Sequence, residues 1–284
     1  MSQRAYDHSV RRGGFGRRMV FVHGVGADLQ SWDGVIKNLA SGYECLSYDL
    51  RGHGNSAKSA GPYSLDMFVE DLQSITQEVG WHRFDLVGFS LGGLIAQGFS
   101  LAHPEKVRTL TIVSSVSGRT PEESARVMAR ANTLATSGAT EHLANSVERW
   151  FTDEFSQANP EVVQGRIARS LTNDPTCYAA AYRVLAESDL VDQLHQIPVP
   201  TLVMTGEKDG GSTPRMAQLM ATRIPNARCV IFPRLKHSVL LESPALVATE
   251  IVAFLKNNEV NEPDRSDLFH RGVQQDVRYS ATSM

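Results

Sequence analysis

Six short apolar runs punctuate the chain: Met19-Val20-Phe21-Val22, Cys45-Leu46-Ser47-Tyr48, Phe84-Asp85-Leu86-Val87, Leu110-Thr111-Ile112-Val113, Thr201-Leu202-Val203-Met204 and Cys229-Val230-Ile231-Phe232. Most are apolar on successive positions rather than alternate ones, the pattern of strands covered on both faces. Stretches of helical periodicity separate them. This alternation predicts an α/β fold, a mostly parallel sheet with helices on both faces. Helix starts are written as a capping residue followed by proline, at Thr120-Pro121, Asn159-Pro160, Asp174-Pro175, Thr213-Pro214 and Ser243-Pro244. The first side chain can accept an orphan amide, and proline at the first helical position gives up no hydrogen bond.

Three of those starts fall within residues 118–195, where no strand pattern occurs. That stretch reads as a helical cap inserted into the sheet, with the core formed by residues 1–117 and 196–256. The chain returns to the sheet through Ile197-Pro198-Val199-Pro200, a rigid connector that cannot continue a helix. From residue 257 to 284 the composition turns polar. This tail carries only scattered apolar residues and is expected to be disordered or to dock on a neighbour, which leaves a homo-oligomer open.

Composition narrows the function classes. The 284 residues are 42% hydrophobic and 21% charged, ordinary for a globular protein. The net charge of −3 is spread without long blocks of one sign, which disfavours nucleic acid or an anionic membrane as a partner. Cys45, Cys177 and Cys229 are far apart, lack metal-ligand spacing and read as buried, reduced packing residues. The N-terminus has no apolar signal core, and Phe84 to Leu101 is too interrupted by polar residues and glycine for a membrane span. A cytoplasmic location is expected.

Gly88-Phe89-Ser90-Leu91-Gly92 sits between an apolar run and a helical pattern, the strand, sharp turn and helix that expose a nucleophilic serine. A serine hydroxyl needs a histidine base and a group that orients it. Of nine histidines, His237 is favoured, because it lies on a loop just after the run ending at Phe232. His53 and His103 have structural explanations, and His8, His82, His142, His195 and His270 read as solvated or capping residues. Asp209 follows the run ending at Met204 and is the candidate acid, with Glu207 as competitor. His23-Gly24-Val25-Gly26 follows the first run, so the backbone amides of Val25 and Leu91 are candidate oxyanion donors. No cofactor or metal is called for.

These segments, together with Asp49-Leu50-Arg51-Gly52-His53-Gly54-Asn55-Ser56, Gly206-Glu207-Lys208-Asp209 and Lys236-His237, resemble in order the motif series of the α/β-hydrolase family over about residues 18–256. Within it the chain resembles most the 3-oxoadipate enol-lactonase group, partly through Glu148-Arg149-Trp150-Phe151-Thr152 and Asn173-Asp174-Pro175-x-x-Tyr178-Ala179-Ala180. One departure is the longer link Gly210-Gly211-Ser212-Thr213 after the acid. The resemblance implies an acyl-enzyme hydrolase of a small, carboxylated ester or lactone, with Trp150 lining the pocket or anchoring the cap core. An arginine would receive the carboxylate: Arg126, Arg130, Arg149, Arg166, Arg169 and Arg183 are the candidates, Arg149 first because it adjoins Trp150. Alternatives are a general carboxylesterase, a C–N or C–C hydrolase of small carboxylated catabolites, or a non-catalytic ligand-binding protein on the same fold.

Overall fold

The structure is a computed structural model that describes residues 7–258. Its strands are β1 (Val10–Gly14), β2 (Arg17–Val22), β3 (Tyr43–Tyr48), β4 (Phe84–Phe89), β5 (Val107–Val113), β6 (Thr201–Gly206) and β7 (Ala227–Phe232). They form one sheet in the order β1-β3-β2-β4-β5-β6-β7. All pairs are parallel except β1 with β3. Each of the six apolar runs lies inside one of the parallel strands. The antiparallel edge strand β1 was not foreseen, because Val10-Arg11-Arg12-Gly13-Gly14 is exposed throughout and has no face to bury.

The helices are α1 (Asp33–Lys37), α2 (Leu65–Glu78), α3 (Leu91–Ala102), α4 (Pro121–Ala144), α5 (Val147–Trp150), α6 (Asp153–Ala158), α7 (Pro160–Leu171), α8 (Pro175–Glu187), α9 (Pro214–Arg223), α10 (Val239–Glu242) and α11 (Pro244–Asn257). Val20 and Val22 of β2 point into a core shared with α2, α3 and α9, while Met19 and Phe21 point into a second core with Trp32 and α11. Covering both faces is what makes successive strand residues apolar. The stretch Phe84 to Leu101 is β4 followed by α3, and among the described residues no helix is long and apolar enough to cross a membrane.

Helices α4 to α8 all fall between β5 and β6, and α4 is broken at Gly138, where φ is 83°. Thr120, Asp174 and Thr213 cap their helices through the side chain, Thr120 in a reciprocal capping box with Glu123. Asn159 and Ser243 do not, because each also closes the preceding helix, its amide donating to Phe155 and Val239 respectively. His8 corrects the expectation of a solvated residue: its side chain is 4% exposed, with Nε2 3.4 Å from Asp71. The expected tail over residues 257–284 lies outside the described residues apart from Asn257 and Asn258, as does His270.

The connection after β2 runs to β3 on one side, and β4 lies on the other. The loops leaving the carboxyl ends of β2 and β4 therefore diverge and open a crevice, the usual ligand position in such sheets.

Candidate active site

Ser90 stands on the turn from β4 into α3 with φ 54° and ψ −116°, a conformation that L-residues rarely adopt. Its neighbours hold it there. The Ser90 amide donates to Val113 O at 2.9 Å, and the Ser90 carbonyl accepts from Ser115 Oγ at 2.7 Å and Gly93 N at 3.0 Å. The flanking glycines are steric necessities: a Cβ on Gly88 would stand 2.2 Å from Gly92 O, and one on Gly92 would stand 2.1 Å from Val22 O. Strand and helix thus cross closely enough to set the serine at the floor of the crevice, where it lines the cavity while remaining largely buried.

His237, on the loop between β7 and α10, places Nδ1 2.7 Å from Asp209 Oδ2. The other oxygen, Asp209 Oδ1, accepts from the amides of Gly211 and Ser212, both at 2.9 Å. The long link after the acid therefore wraps back and fixes the carboxylate. Glu207 is exposed and accepts instead from the Arg234 amide at 2.8 Å, away from His237. Ser90, Asp209 and His237 line one cavity of about 760 Å³ counting its mouth.

Val25 lines the same cavity, and Leu91 begins α3 beside it. Neither amide donates a hydrogen bond to another group among the described residues. A Cβ on Gly24 would stand 3.0 Å from Ser90 Cβ, so only glycine lets this loop approach the serine. Two buried histidines support the loop. His53 Nε2 accepts from Gly26 N and His23 Nε2 accepts from Leu50 N, each at 3.0 Å. Acceptance at Nε2 requires both rings to be neutral, and burial holds them so, with His23 lowered to about 4 and His53 to about 3. From the other side Gly26 O accepts from Arg166 Nη1 and Ser170 Oγ, both at 2.9 Å, and from Asn173 Nδ2 at 3.3 Å. The helices between β5 and β6 thereby clamp the loop that carries Val25.

The same helices roof the cavity. Trp150 lines it with the Arg166 guanidinium 4.5 Å from its ring centroid, and its carbonyl accepts from Ser238 N, next to His237, at 2.8 Å. Of the six candidate arginines, Arg130, Arg149 and Arg166 line the cavity. Arg126 is exposed, Arg183 pairs with Glu187, and Arg169 pairs with Asp28. Arg119, which no residue pattern had singled out, also lines it; its position just past the end of β5 was the available signal. His142 corrects a second expectation. Instead of being solvated it is 3% exposed in the cavity wall, and burial followed by the Arg149 charge lowers its pKa to about 4. Cys45 and Cys177 are buried as expected, but Cys229 corrects that expectation: it is partly exposed, because it stands on β7, the partly uncovered edge strand of the sheet. Among the described residues no group of three or more His, Cys, Asp or Glu side chains could hold a metal ion.

Comparison with known proteins agrees with this geometry at the level of fold. The sequence model of the alpha/beta hydrolase fold family matches residues 17–244. The chain is 30% identical over 247 residues to an (E)-2-((N-methylformamido)methylene)succinate hydrolase of Acinetobacter baylyi, covering 86% of this chain and 92% of that one. It is 27% identical over 238 residues to 3-oxoadipate enol-lactonase 2 of the same organism, covering 84% and 88%. Among solved structures, the enol-lactonase from Burkholderia xenovorans LB400 superposes with a TM-score of 0.82 at 25% identity, covering 88% of this chain and 96% of that one.

Proposed function

Because the chain belongs to the α/β-hydrolase fold family, we propose that it is a serine hydrolase of small esters or lactones that carry a carboxylate. The observation that carries this reading is the Asp209–His237 hydrogen bond of 2.7 Å facing the same cavity as the strained Ser90. Ser90 Oγ attacks the carbonyl carbon while His237 Nε2 takes its proton, and the carbonyl oxygen becomes an anion received by the Val25 and Leu91 amides. The C–O bond then breaks, and His237 returns the proton to the leaving oxygen. Water attacks the Ser90 ester by the same route, releasing the acid and the free serine. Asp209 keeps the imidazole proton on Nδ1, so that Nε2 is free to act as base.

The carboxylate requirement draws on the arginines of the cavity wall, which are suited to a planar oxyanion. The likeness to a hydrolase of (E)-2-((N-methylformamido)methylene)succinate favours a second reading on the same machinery, cleavage of a C–N bond in a small carboxylated compound. Turnover of a panel of lactones, enol esters and their methyl esters is the test. Higher kcat/KM for the carboxylated members, with fluorophosphonate labelling lost in Ser90→Ala, is expected. A preference for the neutral esters would move the reading to a general carboxylesterase. No turnover at all would favour a non-catalytic binding protein.

A further inference from the structure

Two buried polar atoms of cavity-wall side chains, His142 Nε2 and Tyr178 Oη, make no hydrogen bond of normal geometry, the nearest groups being the Arg130 backbone for His142 and Ser170 for Tyr178. Their side chains are closed off from solvent, His142 at 3% and Tyr178 at 1% exposure. A buried polar group left this way is unfavourable, so a bound group that pairs with it gains affinity. The two rings pack edge to face at 6.0 Å. Tyr178 Oη also stands 2.5 Å from where a Cβ on Gly26 would be, against the loop that carries Val25. Both side chains thus share the wall of the cavity that Ser90 lines.

Charge points the same way. Arg119, Arg130, Arg149 and Arg166 all line this cavity, and among the described residues none forms an ion pair with a carboxylate. Among the described residues Asp209 is the one acidic side chain in the lining, and it is already held by His237 and two amides. Arg166 Nη1 donates to Gly26 O, on the loop that Tyr178 Oη packs against, and Arg149 Nη2 donates at 2.7 Å to Ser146 Oγ, which in turn donates to the His142 carbonyl. Arg130 Nε meets Tyr182 Oη at 3.3 Å, and Arg119 donates to the Leu185 and Ser188 carbonyls. One carboxylate saturates one or two guanidiniums, so this belt is built for more negative charge than a single carboxylate brings.

We infer that the substrate is a dicarboxylic acid derivative: one carboxylate is received by Arg119 and Arg130, and a second by Tyr178 Oη, His142 Nε2, Arg149 and Arg166. This rests on the hydrolase reading for its chemistry, but the subsite itself can be tested without turnover. A neutral His142 protonated on Nε2 and the Tyr178 hydroxyl both donate, and the two guanidiniums supply the counter-charge.

The test uses calorimetric titration of the full-length Ser90→Ala variant with succinate, glutarate and adipate, each beside its monomethyl ester. At least one diacid should bind about ten-fold or more tightly than its half-ester. In Ser90→Ala/Tyr178→Phe and Ser90→Ala/Arg149→Gln that ratio should shrink to within about two-fold. Tyr178→Phe removes one oxygen and keeps the packing, so it guards against loss of fold. Equal affinity for diacid and half-ester in every pair would overturn the inference, as would a ratio unchanged in both double variants. Wild-type turnover of neutral esters without any diacid preference would sink this inference alone. Diacid binding with an unreactive Ser90 and no turnover would sink the hydrolase reading and leave the subsite standing.

Discussion

Replacing Asp209 with asparagine tests the orientation of the base, and the structure fixes what the amide must do. Asp209 Oδ1 accepts from Gly211 N and Ser212 N at 2.9 Å, and Oδ2 accepts from His237 Nδ1 at 2.7 Å. The asparagine oxygen can keep only one of these places. If it faced His237, its NH2 would oppose two backbone donors in a buried site, at about 1–3 kcal/mol for each donor left unsatisfied. The favoured arrangement keeps the oxygen on the amides and turns the NH2 toward His237 Nδ1. The imidazole must then accept at Nδ1 and carry its proton on Nε2, which removes the base from Ser90. The wrong tautomer costs on the order of 10⁴ in kcat in a serine protease triad, and a loss of about 10³ or more is expected here. Steady-state hydrolysis of a chromogenic ester measures it, with Glu207→Gln as a control expected to stay within about three-fold because Glu207 contacts Arg234 instead. A loss under ten-fold for Asp209→Asn, or a larger loss for Glu207→Gln, would refute the assignment of the orienting acid.

Three further outcomes are expected. Gly92→Ala puts a Cβ 2.1 Å from Val22 O, a backbone atom that cannot swing aside, so thermal unfolding should drop by more than about 5 °C; a shift under about 2 °C would count against the close crossing of strand and helix. His23 and His53 are held neutral at about 4 and about 3 against an ordinary value of 6.5, so the unfolded chain takes up protons first as pH falls. Stability from these two residues is complete above about pH 6.5 and declines by about 1.4 kcal/mol per pH unit per histidine down to about pH 4, so urea midpoints should be flat from pH 7 to 9 and fall steeply below 6; a flat profile down to pH 4.5 would contradict this. Trp150→Ala removes the ring under Arg166 while keeping the backbone carbonyl that bonds Ser238, so KM for carboxylated substrates should rise roughly three- to thirty-fold with a smaller change in kcat. A large loss of thermal stability with unchanged kinetics would make Trp150 a core anchor instead.

The amino-acid sequence by itself determined the parallel strands, because burial on both faces demands successive apolar residues, as in Met19 to Val22. It also marked the turn at Ser90, because only glycine fits at positions 88 and 92. These are local requirements, written within a few residues of where they act. The edge strand β1 was illegible because its stability comes from pairing with β3 and not from its own side chains. The choice between Asp209 and Glu207 was open for a related reason, since both leave the same strand and only the fold of the following link aims one of them at His237. Arg119, His142 and Tyr178 were missed as cavity residues, and Arg130, Arg149 and Arg166 could not be separated from Arg126, Arg169 and Arg183. Helical periodicity says which residues share a face, but which face closes over Ser90 depends on how α4 to α8 pack against a sheet whose strands lie before and after them in the chain.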